Sequence, residues 1–187
     1  MPVTMLDAKT ALVIIDLQKG LIPEPAEPRI AAVVAHAAAL AAAFRAADLP
    51  VVLVNVAGAP RVRTERPRRV PPALAEGWLD LIPELDRQPG DHVVTKHTPG
   101  AFTATGLEAH LKSLGVTGIV LAGVSTSNGV EVTGRQAYEL GLNTAFATDA
   151  MTDPDAEAHA WSLTRVFPKL GETGTTDDII ALLKDAA

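Results

Sequence analysis

Apolar residues along this chain form short continuous runs that alternate with longer helical stretches. The runs are rich in β-branched residues and lack the apolar–polar alternation of a half-exposed strand, so they predict parallel strands covered on both faces. The predicted strands are 11–15, 51–56, 92–96, 118–123, 144–148 and a weaker 169–174. The predicted helices are 28–48, 72–84, 104–114, 129–140, 155–166 and 176–185. Strand–helix–strand repetition with right-handed crossovers predicts a doubly wound, three-layer α/β/α fold.

The pattern shows no internal repeat and no linker, so the 187 residues are expected to form one domain over 1–187. One region, 57–72, is irregular and rich in proline and arginine. We expect it to be a solvated loop, with a lid or an anion-recognising role as the alternative. Its arginines are Arg61, Arg63, Arg66, Arg68 and Arg69.

Composition narrows the class of protein. Hydrophobic residues make up 48% and charged residues 20%, which favours a globular fold over disorder. The net charge of −6 argues against nucleic acid or an anionic membrane as a partner. The chain has no cysteine, which excludes disulfides, thiolate catalysis and cysteine–zinc sites, and fits a cytoplasmic location. The apolar stretch AAVVAHAAALAAAF is expected to be too short to span a bilayer and to pack on the sheet instead.

Charged residues mark the ends of two predicted strands. In open parallel sheets ligands bind at the carboxyl ends of the strands, and Asp16 and Lys96 each stand at such an end. A buried aspartate is costly unless it is paired, so we expect the two side chains to meet. The ammonium would favour the ionised carboxylate while burial would oppose it. The alternatives are a structural ion pair or cap for Asp16 and a snorkelling surface lysine for Lys96.

The turn 123–129 offers backbone N–H groups at the start of a predicted helix, where an anion or a developing oxyanion could bind. Gly129 would allow a ligand to approach the backbone closely. The polar residues of the turn are candidates for substrate binding or for helix capping, namely Ser125, Thr126, Ser127 and Asn128. Asp149, at the end of the fifth predicted strand, is expected to be a cap or structural partner.

Three motifs together resemble the isochorismatase-like hydrolases, also called the cysteine hydrolases. They are ALVIIDLQKGL, VVTKHTPGAF and LAGVSTSNGVEVTGRQAYELGLNTAFATDAMTD, and the similarity runs from about residue 9 to residue 180. The resemblance implies a six-stranded parallel sheet in the order 3-2-1-4-5-6. It also implies a catalytic aspartate at Asp16, a lysine at Lys96 and, where most members have the nucleophilic cysteine, Gly129.

Isochorismatases proper are similar in carrying glycine at that position. The resemblance therefore implies cleavage of a vinyl ether, in which the aspartate protonates carbon and water captures the oxocarbenium ion without a covalent intermediate. Those members have a glutamine at the end of the second strand, and the aligned position in this chain is about Val56, next to Asn55. The segment NGVEVTGR is closer to a second set, short bacterial members whose substrates are not established. Phe102, in the second motif, is counted with Asn55 among the expected substrate-binding residues. The resemblance also implies a cis peptide bond before the nucleophile position, which in this chain is Val124–Ser125.

Nicotinamidases, another branch, hold a metal with histidines after the second strand. This chain has no histidine between His36 and His92, so no metal and no cofactor are expected. The sequence thus predicts a hydrolase of a small anionic metabolite, acting through Asp16 and Lys96. The alternatives are a non-catalytic small-molecule binding protein and an amidase that uses Ser125 or Ser127. The family resemblance also implies a homodimer or larger assembly.

Overall fold

A computed structural model describes residues 3–65 and 74–185. Within them, six strands form one parallel sheet in the order β3-β2-β1-β4-β5-β6, which confirms the predicted fold. The strands are β1 (Thr10–Ile15), β2 (Val51–Val56), β3 (His92–Lys96), β4 (Gly118–Val124), β5 (Asn143–Thr152) and β6 (Glu172–Gly174). The α-helices are α1 (Pro28–Ala46), α2 (Leu107–Ser113), α3 (Glu131–Glu139), α4 (Ala156–Trp161) and α5 (Thr176–Asp185).

The central strand β1 shows why its sequence is apolar throughout. Leu12 and Ile14 belong to one core cluster, which also contains residues of α1 and α5. Val13 and Ile15 belong to a second cluster on the opposite face, with residues of α2 and α3. Because successive side chains of a strand point to opposite faces, helices on both sides require apolar residues at every position.

Helix α1 is longer than its apolar stretch suggested. By length and composition alone its 19 residues could cross a membrane, so the prediction that it is too short is wrong. One side of the helix is nevertheless buried in the core, through Val34, Ala37, Leu40 and Phe44 among others. Packing against the sheet therefore accounts for its hydrophobicity, as the sequence predicted.

The predicted helix over 72–84 is wrong in its described part. Residues 74–82 form turns and irregular chain, and a short 3₁₀ turn follows at Pro83–Leu85. Two side chains from the sheet edge capture backbone carbonyls that a helix would need: Gln18 Nε2 donates to Trp78 O at 2.9 Å, and Asn55 Nδ2 donates to Leu79 O at 2.8 Å. Tertiary hydrogen bonds thus replace helical ones here. Residues 72 and 73 lie outside the described residues, as do Arg66, Arg68 and Arg69.

Strand β5 extends to Thr152, four residues beyond its predicted end. Asp149 consequently lies within the strand, and its Oδ1 accepts hydrogen bonds from the N–H and hydroxyl of Thr176 at the start of α5. Its predicted role as a cap is confirmed. The acidic residue that follows the true end of the strand is Asp153.

Candidate active site

The predicted acid–ammonium pair forms at the carboxyl edge of the sheet. Lys96 ends β3 and Asp16 follows β1, so their backbones lie two strand spacings apart, about 10 Å, with β2 between them. Their side chains bridge that gap, and Lys96 Nζ lies 2.8 Å from Asp16 Oδ2. Only 1% of Lys96 and 6% of Asp16 is exposed. This is a charge-assisted hydrogen bond in an environment where water screens it little.

Gly129 lies directly opposite this pair. The chain leaves β4 through a cis peptide at Val124–Ser125, as expected, and enters a π-helical turn at Thr126–Val130 that continues into α3. A Cβ atom placed on Gly129 would lie 3.4 Å from Asp16 Oδ2 and 3.0 Å from Ile15 Cγ2. The position at which the resemblance implies a thiol in other members therefore faces the Asp16 carboxylate, with no side chain in between.

The polar residues of the turn divide into two groups. Ser125 and Asn128 line a cavity of about 780 Å³, together with Asp16 and Lys96. Thr126 is fully buried and its Oγ1 lies 2.8 Å from His159 Nδ1.

Ser127 is held by an acidic residue beyond the turn. Its backbone N–H and its hydroxyl both donate to Asp153 Oδ2, at 2.9 and 2.7 Å. Thr126 and Ser127 therefore anchor the turn, whereas the cavity is open to Ser125 and Asn128.

Asn55 and Phe102 are not among the described residues that line this cavity. The Asn55 amide holds the segment after β2 through Leu79 O, and Phe102 packs against the second core cluster. Residue 55 points to the α1 face because Val54, its neighbour, belongs to the opposite cluster. The structure thus gives both residues supporting contacts, and their contact with substrate stays a prediction.

The cavity is also lined by residues that strand-end reasoning did not identify, among them Arg29, Trp78 and Asp153. Arg29 lies in the first turn of α1, and its Nη2 donates to the backbone carbonyl of Asp153 at 3.1 Å. The Trp78 Nε1 is 3.4 Å from Val56 O, which places the indole beside the end of β2. Asp153 would have been found had β5 been predicted to its full length. Arg29 and Trp78 carry no local signal, because each reaches the cavity through its tertiary packing.

His159, on α4, is the histidine that the structure adds to this region. Burial lowers the pKa of His159 below its ordinary value, Asp153 acts in the opposite direction, and the positive charge of Arg29 lowers it further. The neutral ring that results can accept a hydrogen bond from the Thr126 hydroxyl. Because Thr126 is fully buried and does not line the cavity, this contact positions the turn and does not resemble an exposed nucleophile with its base.

The sheet order, the buried Asp16–Lys96 pair and the cavity at the carboxyl edge fit the fold and site that the resemblance to the isochorismatase-like hydrolases implies. Residues 10–178 match the family described as the isochorismatase domain. The chain belongs to the isochorismatase family of hydrolases.

Comparison with individual proteins supports this assignment over nearly the full length. A solved isochorismatase family protein from Burkholderia thailandensis is 43% identical, with a TM-score of 0.88 over 96% of this chain and 98% of that one. An uncharacterized isochorismatase family protein of Bacillus subtilis, YwoC, is 38% identical over 94% of this chain and 95% of its own. The maleamate amidohydrolase of Pseudomonas putida is 28% identical over 96% and 89%.

Proposed function

We propose that this protein hydrolyses a small anionic metabolite without a covalent enzyme intermediate, with Asp16 as the acid or base and Lys96 as its partner. The observation that carries the proposal is the buried 2.8 Å contact between these side chains, facing Gly129 and opening onto the cavity. Buried, paired ionisable groups that line a cleft are typical of catalytic sites. Within the turn 125–129, Ser125 and Asn128 line the cavity and would supply the hydrogen bonds to the substrate.

For a vinyl ether the chemistry balances with water alone. In the form of the enzyme in which Asp16 is protonated, Asp16 transfers that proton to the terminal carbon, water adds to the resulting oxocarbenium ion, and the hemiketal collapses to an alcohol and a ketone. The proton released by water restores Asp16. Lys96 stabilises the carboxylate that forms in the first step, which lowers the barrier to proton transfer.

Amide hydrolysis is a second candidate, and the likeness to the maleamate amidohydrolase favours it. Without a thiol, Asp16 would act as a base towards water, and its 2.8 Å bond to the Lys96 ammonium supports the ionised form that a base requires. Ser127 is a poor candidate for the nucleophile because it is not among the described residues that line the cavity. Ser125 lines the cavity and is the remaining candidate of the two serines.

A substrate panel separates these chemistries. Pyruvate release from isochorismate and simpler 1-carboxyvinyl ethers would report vinyl-ether cleavage, and ammonia release from maleamate would report amide cleavage. We expect Asp16→Asn and Lys96→Met to reduce the rate about 100-fold or more, since removal of a general acid or base has effects of this size. The exposed pair Lys19–Asp80 offers matched control variants, Lys19→Met and Asp80→Asn, which should retain full activity.

Two outcomes would contradict the proposal. Undiminished turnover in Asp16→Asn would place the chemistry elsewhere, and loss of activity in Ser125→Ala alone would favour the serine route. A protein that binds members of the panel but turns over none of them would instead be a small-molecule binding protein.

Assembly and location are also proposals. We propose that copies of the chain form a homodimer or larger assembly, as the family resemblance implies, and that the protein acts in the cytoplasm, which the absence of cysteine fits. Sedimentation equilibrium of the purified protein would measure the assembly, and a purely monomeric protein at micromolar concentration would contradict it.

A further inference from the structure

The two cationic side chains in the described wall of the cavity differ in whether they form an ion pair. Among the described lining residues the cationic side chains are Lys96 and Arg29. The ammonium of Lys96 is paired with Asp16, so that pair has little net charge to offer a ligand. No described carboxylate lies within 4.0 Å of the Arg29 guanidinium, so Arg29 is the cation of the described wall that forms no close ion pair, although the carboxylates of Glu27 and Asp153 line the same cavity.

Arg29 is an exposed residue whose side chain is oriented by one hydrogen bond. One of its donors is used by the backbone carbonyl of Asp153, at 3.1 Å. The carboxylate of Asp153 is occupied by the Ser127 N–H and hydroxyl and by the Asp155 N–H, so it serves the turn rather than the guanidinium. A guanidinium has five N–H donors, and this arrangement orients Arg29 while leaving most of them for a ligand.

We infer that Arg29 is the anion-recognition residue of this cavity and that it binds a carboxylate of the substrate. The identification of that ligand as a substrate rests on the proposed function. A planar carboxylate matches the guanidinium fork in two parallel hydrogen bonds, which specifies the orientation of the molecule as well as its charge. The reacting bond would then extend from this anchor towards Asp16 and Lys96, which line the same cavity.

Glu27 provides an internal comparison. It precedes α1, is exposed, and lines the same cavity as Arg29 with the opposite charge. If Arg29 attracts an anion, the charge of Glu27 must work against it, and neutralisation of Glu27 should strengthen binding. Opposite effects from two residues on one wall would not arise from a general loss of structure.

The chain contains its own optical reporter for this test. It has two tryptophans, of which Trp78 lines the cavity and Trp161 is 62% exposed and does not. Trp161→Phe therefore leaves an emission that reports on the cavity. The probes are benzoate and benzamide, which have nearly the same shape and differ in charge, and each is titrated into the purified protein while the fluorescence of Trp78 is recorded.

We expect benzoate to bind at least about tenfold more tightly than benzamide, because a hydrogen bond to a charged group is worth more than a neutral one. Arg29→Gln should abolish this preference, and Arg29→Lys should retain part of it because the charge remains but the fork is lost. Glu27→Gln should increase the affinity for benzoate. The matched control is Arg87→Gln, an exposed arginine outside the cavity lining, which should leave both affinities unchanged.

A preference for benzoate that survives Arg29→Gln would overturn the inference, and so would the absence of a saturable response to benzoate. The titration measures binding and requires no turnover. Failure of the Arg29 inference would therefore leave the hydrolysis assay and the roles of Asp16 and Lys96 untouched.

Discussion

The buried pair between Asp16 and Lys96 makes a strong prediction about stability. Lys96→Met keeps an unbranched apolar side chain at this position, so the change mainly removes the ammonium group. Lys96 is 1% exposed, and its ammonium lies 2.8 Å from the Asp16 carboxylate. Breaking a buried ion pair from one side costs about 3–5 kcal/mol, because a nearly buried carboxylate loses the ammonium that lies beside it. In a domain of this size that corresponds to a fall of about 6–20 °C in the melting temperature.

The assay is a double-mutant cycle, with the free energy of unfolding measured by urea titration and circular dichroism. Asp16→Asn alone should also destabilise, since it leaves a buried ammonium. The loss of unfolding free energy in the double variant Asp16→Asn/Lys96→Met should be about 2–3 kcal/mol smaller than the sum of the losses in the two single variants, because both charges are removed together. The exposed pair Lys19–Asp80, at 3.1 Å, is the control, and Lys19→Met should cost at most about 1 kcal/mol.

The prediction would be refuted if the free energy of unfolding of Lys96→Met lay within about 1 kcal/mol of the parent value, since that is the range of a solvent-exposed pair. The prediction would also be refuted if the loss of unfolding free energy in the double variant equalled the sum of the losses in the two single variants. Either result would mean that water or other groups already compensate these charges.

Two further predictions concern the surroundings of the site. Gly20→Ala should lower the free energy of unfolding by about 1–3 kcal/mol and shift the fluorescence emission of Trp78, because the added Cβ would overlap the indole ring. Gly90→Ala is the control and should have almost no effect, since no atom lies within 4 Å of its new Cβ. His159, whose pKa is lowered by burial, should make the protein less stable as the pH falls below about 6.5, since the unfolded chain then takes up the proton first. His159→Gln should reduce that acid-side slope in unfolding titrations, and a steeper slope in the variant would contradict the assignment of a neutral ring bonded to Thr126.

The sequence was a good guide wherever burial alone determined the pattern. The six strands and their flanking helices could be predicted because a sheet covered on both faces needs apolar residues at every strand position, as in β1. The contact between Asp16 and Lys96 could also be predicted from burial. A charge that ends a buried strand must find a partner, and parallel strands bring their carboxyl ends to one edge.

Where contacts between distant segments prevailed, the sequence was a poorer guide. Residues 74–82 do not form the predicted helix, because Gln18 and Asn55 capture two of its carbonyls across the sheet edge. Asp153 was missed because pairing with β4 extends β5 past the point where its propensity ends.

The sequence by itself therefore determined the layers of this protein and the two charges at their edge. The tertiary structure decided the walls of the cavity, where Arg29 meets Asp153 across 124 positions of the chain. The reason is physical: periodicity records which face of an element is buried, whereas the neighbours of a side chain depend on how separate elements stack.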